Sequence, residues 1–167
     1  MKSILLIEDD TILRENTSEL LELANYQVVT APNGKIGLEV AKNTLPDIIV
    51  CDIMMPELDG YGVLEGLSGN ENTKHIPFIF LSAKTERKDV RKGMDLGADD
   101  YITKPFEEEE LISAIESRLA KAAILRDNRH EEDSLESEEE LRTLNDLKNF
   151  FDYNGEAMDF ANGEVIY

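Results

Sequence analysis

The stretch SILLIEDD, from Ser3 to Asp10, places a continuous apolar run directly before three consecutive acids. The run ILLI is typical of a central strand of a parallel sheet, which is buried on both faces. Glu8, Asp9 and Asp10 follow it, and carboxylates held about 4 Å apart repel by roughly 4 kcal/mol at an effective dielectric near 20. Such a cluster needs a compensating group, so the segment predicts a strand that ends at a functional site.

Four further segments read as strands and alternate with segments of helical length. The strand candidates are YQVVTA (26–31), DIIVCD (47–52), PFIFLSA (77–83) and DYITKP (100–105), and helices are predicted over 13–24, 35–42, 60–67, 87–96 and 107–126. The first, third and fourth strands are almost uniformly apolar and suit the centre of a sheet, whereas the second and fifth suit its edges. The alternation predicts a doubly wound α/β domain that ends near residue 125.

Composition narrows the class of protein further. The 167 residues contain 41% hydrophobic residues, enough for a real core, and carry a net charge of −19. That charge argues against direct nucleic-acid binding by this fragment and against binding to an anionic membrane, because phosphate binding needs basic residues. The single cysteine, Cys51, excludes an internal disulfide, and neither a signal sequence nor a membrane-span-length apolar run is present. These features favour a cytoplasmic protein.

The residues that close the strands should lie together, because ligands of open parallel sheets bind at the carboxyl ends of the strands. Asp9 and Asp10 follow the first strand, Asp52 closes the third, Ser82 the fourth and Lys104 the fifth. Three carboxylates favour Mg²⁺, which takes oxygen ligands but only one or two protein carboxylates. We therefore expect Asp52 to act as a nucleophile toward phosphorus, with Lys104 neutralising phosphoryl charge and Ser82 donating a hydrogen bond.

The motifs EDD, CDIMMPELDG, LSA and YITKPF resemble those of CheY-like receiver domains of two-component response regulators, over roughly residues 2–125. The resemblance implies a flavodoxin-like fold with strand order 2-1-3-4-5. It implies that Asp52 accepts a phosphoryl group from a sensor histidine kinase or a histidine phosphotransfer protein. It also implies that Asp9, Asp10, Asp52 and the backbone carbonyl of Met54 help to hold Mg²⁺.

The same resemblance assigns a conformational switch. Ser82 and Tyr101 match the switch positions of the family, and the Lys104–Pro105 peptide bond matches one that is cis in the family. Phosphorylation is then expected to reshape the face formed by the fourth helix, fifth strand and fifth helix, and a homodimer through that face is expected. Without the resemblance, Tyr101 could simply be an edge-strand aromatic.

Several other residues carry weaker signals. Cys51 should point to the sheet face opposite Asp52, which favours a buried structural thiol over a reactive one. His75 and His130 have no metal-spaced partner and are interpreted as ordinary exposed histidines. Met54 and Lys84, each two positions after a site residue, either tune access of water to the phosphoryl group or are neutral rim residues.

The sequence beyond residue 125 has a different composition. Residues 126–137 predict an acidic linker, and Ser137 with Glu140 forms a capping-box pattern at the start of a further helix. The stretch LNDLKNFFDYNGEAMDFANGEVIY is similar to the entrance of Crp-like cyclic-nucleotide-binding domains. Residues 138–167 are therefore interpreted as a helix and the start of a strand, a fragment of an output domain that does not itself bind cyclic nucleotide.

Three functions compete. The leading one is a phosphorylation-dependent response regulator that catalyses only its own phosphorylation and dephosphorylation. A metal-dependent phosphohydrolase would need an acid or base near the nucleophile, and Met54 cannot transfer protons. A receiver-like interaction module that is never phosphorylated conflicts with the presence of all the site residues.

Overall fold

The computed structural model describes residues 1–83 and 87–127 and shows a parallel five-stranded sheet surrounded by helices. The strands are β1 (Ser3–Ile7), β2 (Gln27–Ala31), β3 (Ile48–Asp52), β4 (Phe78–Ser82) and β5 (Asp100–Thr103). The helices are α1 (Thr11–Leu23), α2 (Gly34–Thr44), α3 (Gly60–Ser68), α4 (Arg87–Asp95) and α5 (residues 108–127). The strand order β2-β1-β3-β4-β5 confirms the predicted doubly wound, flavodoxin-like topology with β2 and β5 at the edges.

Alternate residues of the central strands enter two separate apolar layers, as the two-residue period of a strand requires. On one face Leu5, Ile49 and Phe80 pack with buried residues of α2 and α3. On the other face Ile4 and Val50 pack with Leu and Ile residues of α1 and α5. Burial of each large aliphatic side chain contributes about 1.5–3 kcal/mol, so the central strands are held from both sides and their ends are fixed in position.

Three helices begin at a side-chain cap, which sets where each loop ends. The side chain of Asp10 accepts a hydrogen bond from the backbone N of Leu13, so α1 starts at Thr11, two residues before its predicted start. Asn33 caps α2 and Asp59 caps α3 in the same way. Asp and Asn are favoured at this position because they satisfy backbone N–H groups that have no partner within the helix.

The chain divides into two compact units, Met1–Ala122 and Ala123–Tyr167. Only residues 123–127 of the second unit, the end of α5, belong to the described part of the chain. Outside the described residues lie His130, the predicted linker (126–137) from residue 128 onward and the predicted output fragment (138–167). Among the described residues, no helix is both long enough and apolar enough to span a membrane.

Candidate functional site

The carboxyl ends of β1, β3 and β5 bring together a lysine and two acids. Lys104, which follows β5, places its Nζ 2.8 Å from Oε1 of Glu8 and 3.4 Å from Oδ2 of Asp52. Glu8 is 2% exposed and Asp52 is 6% exposed, so both carboxylates lie largely out of contact with water. The Lys104 side chain thus links the ends of three strands, and Asp52 and Lys104 lie close together, as the sequence predicted.

Asp52 is held rigidly at the end of the most central strand. Its Oδ1 accepts a hydrogen bond of 2.7 Å from the backbone N of Ile53, while Oδ2 faces Lys104. Cys51, the preceding residue, is fully buried in the apolar layer between the sheet and α3, which confirms its prediction as a core thiol. The alternation of β3 therefore separates a core thiol from a site carboxylate.

Glu8, Asp9 and Asp52 form a group that could hold a metal ion. One carboxylate oxygen from each lies within 4.8 Å of the others, and Asp9 is the exposed member. Oxygen donors of this kind suit a hard divalent cation such as Mg²⁺. Three acids against the single charge of Lys104 leave an excess of negative charge that a cation would offset.

Asp10 does not join this group, contrary to the sequence prediction. Its Oδ1 accepts a hydrogen bond of 3.0 Å from the backbone N of Leu13, so the carboxylate is directed to the start of α1. Glu8, which the sequence analysis left without a role in the site, lies in this group together with Asp9 and Asp52. The missed signal is the preference for Asp immediately before a helix.

Asp10 and Arg14 nevertheless support the site by fixing Glu8. The backbone N of Asp10 donates a hydrogen bond of 3.2 Å to Oε2 of Glu8. A guanidinium nitrogen of Arg14 donates a hydrogen bond of 2.8 Å to the backbone carbonyl of Glu8. The Glu8 carboxylate is therefore held by Lys104 through one oxygen and by the β1–α1 turn through the other.

Burial dominates the electrostatics of the site. It raises the pKa of Glu8 from 4.5 to about 7, and the charge of Asp52 adds to this effect while the hydrogen bond from Lys104 opposes it. Burial lowers the pKa of Lys104, but the hydrogen bond to Glu8 and the charge of Asp52 outweigh it, so that pKa is raised overall. Lys104 therefore stays cationic, and its single charge does not balance the negative charge of the acidic group when those acids are ionised.

The two predicted switch residues lie together. Ser82 ends β4 and is fully buried, and Tyr101 on β5 is half-buried with its ring centroid 6.0 Å from that of Phe80. Burial raises the pKa of Tyr101, and a side-chain hydrogen bond with Ser82 opposes that shift. Tyr101 therefore lies beside Phe80 of the neighbouring strand β4, which Ser82 ends.

The loops beside Asp52 and Lys104 complete the surroundings of the site. The Lys104–Pro105 peptide bond is cis, which confirms the prediction from the resemblance. The side chain of Met54 is 59% exposed at the rim. Lys84 lies outside the described residues, and His75 is exposed, as expected.

A parallel doubly wound sheet with a buried Asp, a Lys and an acidic group at the carboxyl ends of its strands has the arrangement of an open α/β domain with a ligand site at that edge. Within that class, residues 4–116 match the family model described as the response regulator receiver domain. The chain belongs to the response regulator receiver family.

Relatives and solved structures agree with this assignment. The chain is 39% identical over 121 residues to the DNA-binding dual master transcriptional regulator RpaA of Synechocystis sp., covering 72% of this chain and 50% of that protein. It is 40% identical over 125 residues to the transcriptional regulatory protein DltR of Streptococcus agalactiae, covering 75% of this chain and 55% of that protein. The chain thus spans about half the length of the curated relatives it matches.

One similar structure is the receiver domain of the sensor histidine kinase PA1611 from Pseudomonas aeruginosa, described with a magnesium ion coordinated in the active site cleft. It superposes with a TM-score of 0.67 at 28% identity and covers 71% of this chain and 98% of that chain. A response regulator receiver domain protein from Clostridium thermocellum gives a TM-score of 0.70 at 27% identity, covering 75% and 99% of the two chains.

Proposed function

We propose that Asp52 accepts a phosphoryl group from a phosphohistidine of a sensor histidine kinase or a histidine phosphotransfer protein. The observation that carries the proposal is the position of Lys104, whose Nζ lies 3.4 Å from Oδ2 of Asp52 at the open end of a parallel sheet. A buried carboxylate beside a fixed cation is suited to attack phosphorus and to stabilise the charge of the transferred group.

Mg²⁺ is the proposed cofactor, and the donor set of Glu8, Asp9 and Asp52 fits it. The backbone carbonyl of Met54, which follows Asp52 by two residues, is proposed as a further oxygen ligand. When bound, the ion supplies positive charge that neutralises the phosphoryl oxygens. Asp10 is left out of the proposed ligand set because its carboxylate caps α1.

The chemistry at Asp52 is a direct transfer. A carboxylate oxygen of Asp52 forms a bond to phosphorus while the bond between phosphorus and the donor histidine nitrogen breaks, and the electron pair of that bond leaves with the imidazole. Lys104 contacts a phosphoryl oxygen, and the Ser82 hydroxyl donates a hydrogen bond to another. Attack of water on the same phosphorus breaks its bond to the Asp52 oxygen, releases inorganic phosphate and regenerates the carboxylate. The proposed reactions of the chain are therefore its own phosphorylation and dephosphorylation.

Ser82 and Tyr101 are proposed to convert this modification into a change of shape. A phosphoryl oxygen that takes the Ser82 hydrogen bond favours one arrangement of Tyr101, and with it one arrangement of the face formed by α4, β5 and the part of α5 up to residue 122. Moving from 1:99 to 99:1 between two states needs about 5.5 kcal/mol. Charge-assisted hydrogen bonds of about 1.5–3 kcal/mol each could supply much of it.

The signal is proposed to reach an output that acts on transcription, because the relatives RpaA and DltR are named as transcriptional regulators. Direct contact with DNA by this fragment is not part of the proposal, since its net charge is −19. A homodimer through the α4–β5–α5 face is the proposed consequence of phosphorylation.

The test uses phosphoramidate, whose P–N bond resembles that of phosphohistidine, with and without Mg²⁺. Intact-protein mass spectrometry should show one added phosphoryl group only when Mg²⁺ is present. Light scattering with beryllofluoride should show a rise in mass toward a dimer. A parallel assay supplies organic phosphate monoesters in place of phosphoramidate. Rapid release of phosphate from them, with no modified protein detected, would indicate a phosphohydrolase. No modification of the chain by phosphoramidate and Mg²⁺ would contradict the proposal.

A further inference from the structure

Tyr61, in the first turn of α3, connects that helix directly to α4. The side chain is 5% exposed, and its hydroxyl donates a hydrogen bond of 3.1 Å to the backbone carbonyl of Asp89. This carbonyl belongs to the first turn of α4. Two helices that are separate in the sequence are therefore joined by one buried side chain.

The ring of Tyr61 makes two further contacts. It packs edge-on against Phe80 of β4, with ring centroids 5.4 Å apart, and Nζ of Lys92 lies 4.4 Å from its centroid on the α4 side. A cation over an aromatic ring is attracted by the negative face of the ring. Tyr61 therefore holds α4 through two residues of that helix, Asp89 and Lys92.

The start of α3 lies directly on the backbone of the proposed phosphoacceptor. The backbone N of Gly60 donates a hydrogen bond of 2.8 Å to the carbonyl of Ile53. A Cβ at Gly60 would lie 2.4 Å from the backbone oxygen of Asp52, which is shorter than any real contact. The turn that carries Tyr61 is therefore in direct contact with the backbone of Asp52 and Ile53.

The other end of this connection reaches the switch residues. A Cβ at Gly93 of α4 would lie 3.0 Å from ring atoms of Phe80 and 3.4 Å from a ring atom of Tyr101. The absence of a side chain at Gly93 thus lets α4 pack closely on both rings. Any movement of α4 relative to the sheet changes the space available to Tyr101.

We propose that Tyr61 is a positioning residue that couples the Asp52 loop to α4, in parallel with the Ser82–Tyr101 pair. The inference rests on the proposed function of Asp52. In this proposal Tyr61 acts through its contacts with Asp89, Lys92 and Phe80 and takes no part in binding the phosphoryl group. Tyr61 sets the position of α4 from α3, the helix that follows the Asp52 loop. Phosphorylation therefore acts on α4 through Tyr61 as well as through Tyr101.

The test compares Tyr61→Phe with the unmodified chain by hydrogen–deuterium exchange over residues 87–95, with and without beryllofluoride and Mg²⁺. Loss of one hydrogen bond should speed exchange in α4 by about three- to tenfold. The change in α4 exchange caused by beryllofluoride should fall to less than half of that in the unmodified chain. The rate of phosphorylation by phosphoramidate should stay within twofold.

Tyr26→Phe is the matched control, because Tyr26 packs in the apolar layer on the opposite sheet face and should alter none of these quantities. Lys92→Gln should reproduce the effect of Tyr61→Phe more weakly. No response of the unmodified chain to beryllofluoride would contradict the proposed function itself. A normal response of α4 in Tyr61→Phe, or phosphorylation slowed in parallel with the altered exchange, would overturn the role of Tyr61 while leaving that of Asp52 intact.

Discussion

Replacing Glu8 with Gln should stabilise the protein without Mg²⁺ and remove most of its stabilisation by Mg²⁺. Burial raises the pKa of Glu8 from 4.5 to about 7, so the ionised form is disfavoured in the folded state. The neutral form therefore contributes stability that is fully present below about pH 4.5 and is lost as the pH rises through about 7. Gln keeps the shape of Glu8 and never ionises, so the variant should not show this loss.

The size of the effect follows from the same shift. One pKa unit corresponds to about 1.4 kcal/mol, and water that reaches the cluster through exposed Asp9 reduces the cost. We expect Glu8→Gln to be about 1–3 kcal/mol more stable than the unmodified chain at pH 8 without metal, and equal to it near pH 4. Lys104 remains paired with Asp52 at 3.4 Å in the variant, so no charge is left without a partner.

Mg²⁺ should narrow this difference in stability between the Gln variant and the unmodified chain. An ion at ten times its dissociation constant stabilises a folded protein by about 1.4 kcal/mol, and the Gln variant should lose most of that gain. Urea unfolding at pH 4 and pH 8, with Mg²⁺ or EDTA, measures both effects, and Asp10→Asn serves as the control because Asn also caps helices. Equal stabilisation by Mg²⁺ in Glu8→Gln and in the unmodified chain would refute the assignment of Glu8 to the metal group.

Three further predictions concern residues around the site. Asp10→Ala should lower the free energy of unfolding by about 1 kcal/mol through loss of the α1 cap. Asp10→Asn should leave the free energy of unfolding unchanged and the Mg²⁺ dissociation constant within twofold of that of the unmodified chain. Urea unfolding measures the first quantity and Mg²⁺ titration the second. Gly60→Ala should cost roughly 1–3 kcal/mol and slow phosphorylation of Asp52, because its Cβ would overlap the Asp52 carbonyl. Gly69→Ala, whose Cβ would meet no atom closer than 3.8 Å, is the control, and equal losses would contradict the argument. Burial raises the pKa of Tyr61 from 10 to about 12, so the neutral phenol stabilises the folded state below pH 10, and this contribution should be lost as the pH rises through about 12. Absorbance titration of the folded protein measures this pKa, and ionisation of Tyr61 near pH 10 would contradict the prediction.

The fold was predictable because the strands differ so clearly in pattern. The almost uniformly apolar strands β1, β3 and β4 are the three buried central strands, and the mixed strands β2 and β5 are the edges. Asp52, Ser82 and Lys104 could be placed at one end of the sheet because each closes or directly follows a strand. For these residues the carboxyl-end rule of parallel sheets is sufficient.

The choice among Glu8, Asp9 and Asp10 could not be made from strand periodicity alone. ILLI is apolar at every position, so it does not show which of the following acids turns inward. The conformation of the β1–α1 turn decides, and that turn is set by the start of α1 at Thr11. The prediction of a helix starting at residue 13 left Asp10 free to be assigned to the site, whereas one of its carboxylate oxygens caps α1 and Glu8 lies with Asp9 and Asp52.

The link from Tyr61 to α4 was also absent from the sequence analysis. Tyr61 and Asp89 are separated by 28 residues, and the bond uses the backbone carbonyl of Asp89, which any residue possesses. No pattern of side-chain types signals such a contact. It depends on the close packing of α3 and α4 on β4, which only the assembled fold supplies.

The most direct test of the central claim is to locate the phosphoryl group. The unmodified chain and Asp52→Asn are incubated with phosphoramidate and Mg²⁺, and the acyl phosphate is trapped by borohydride reduction before peptide mapping. The account predicts one modified residue, Asp52, in the unmodified chain and no modification in Asp52→Asn. Modification of another residue in the unmodified chain, or undiminished modification of Asp52→Asn, would contradict it.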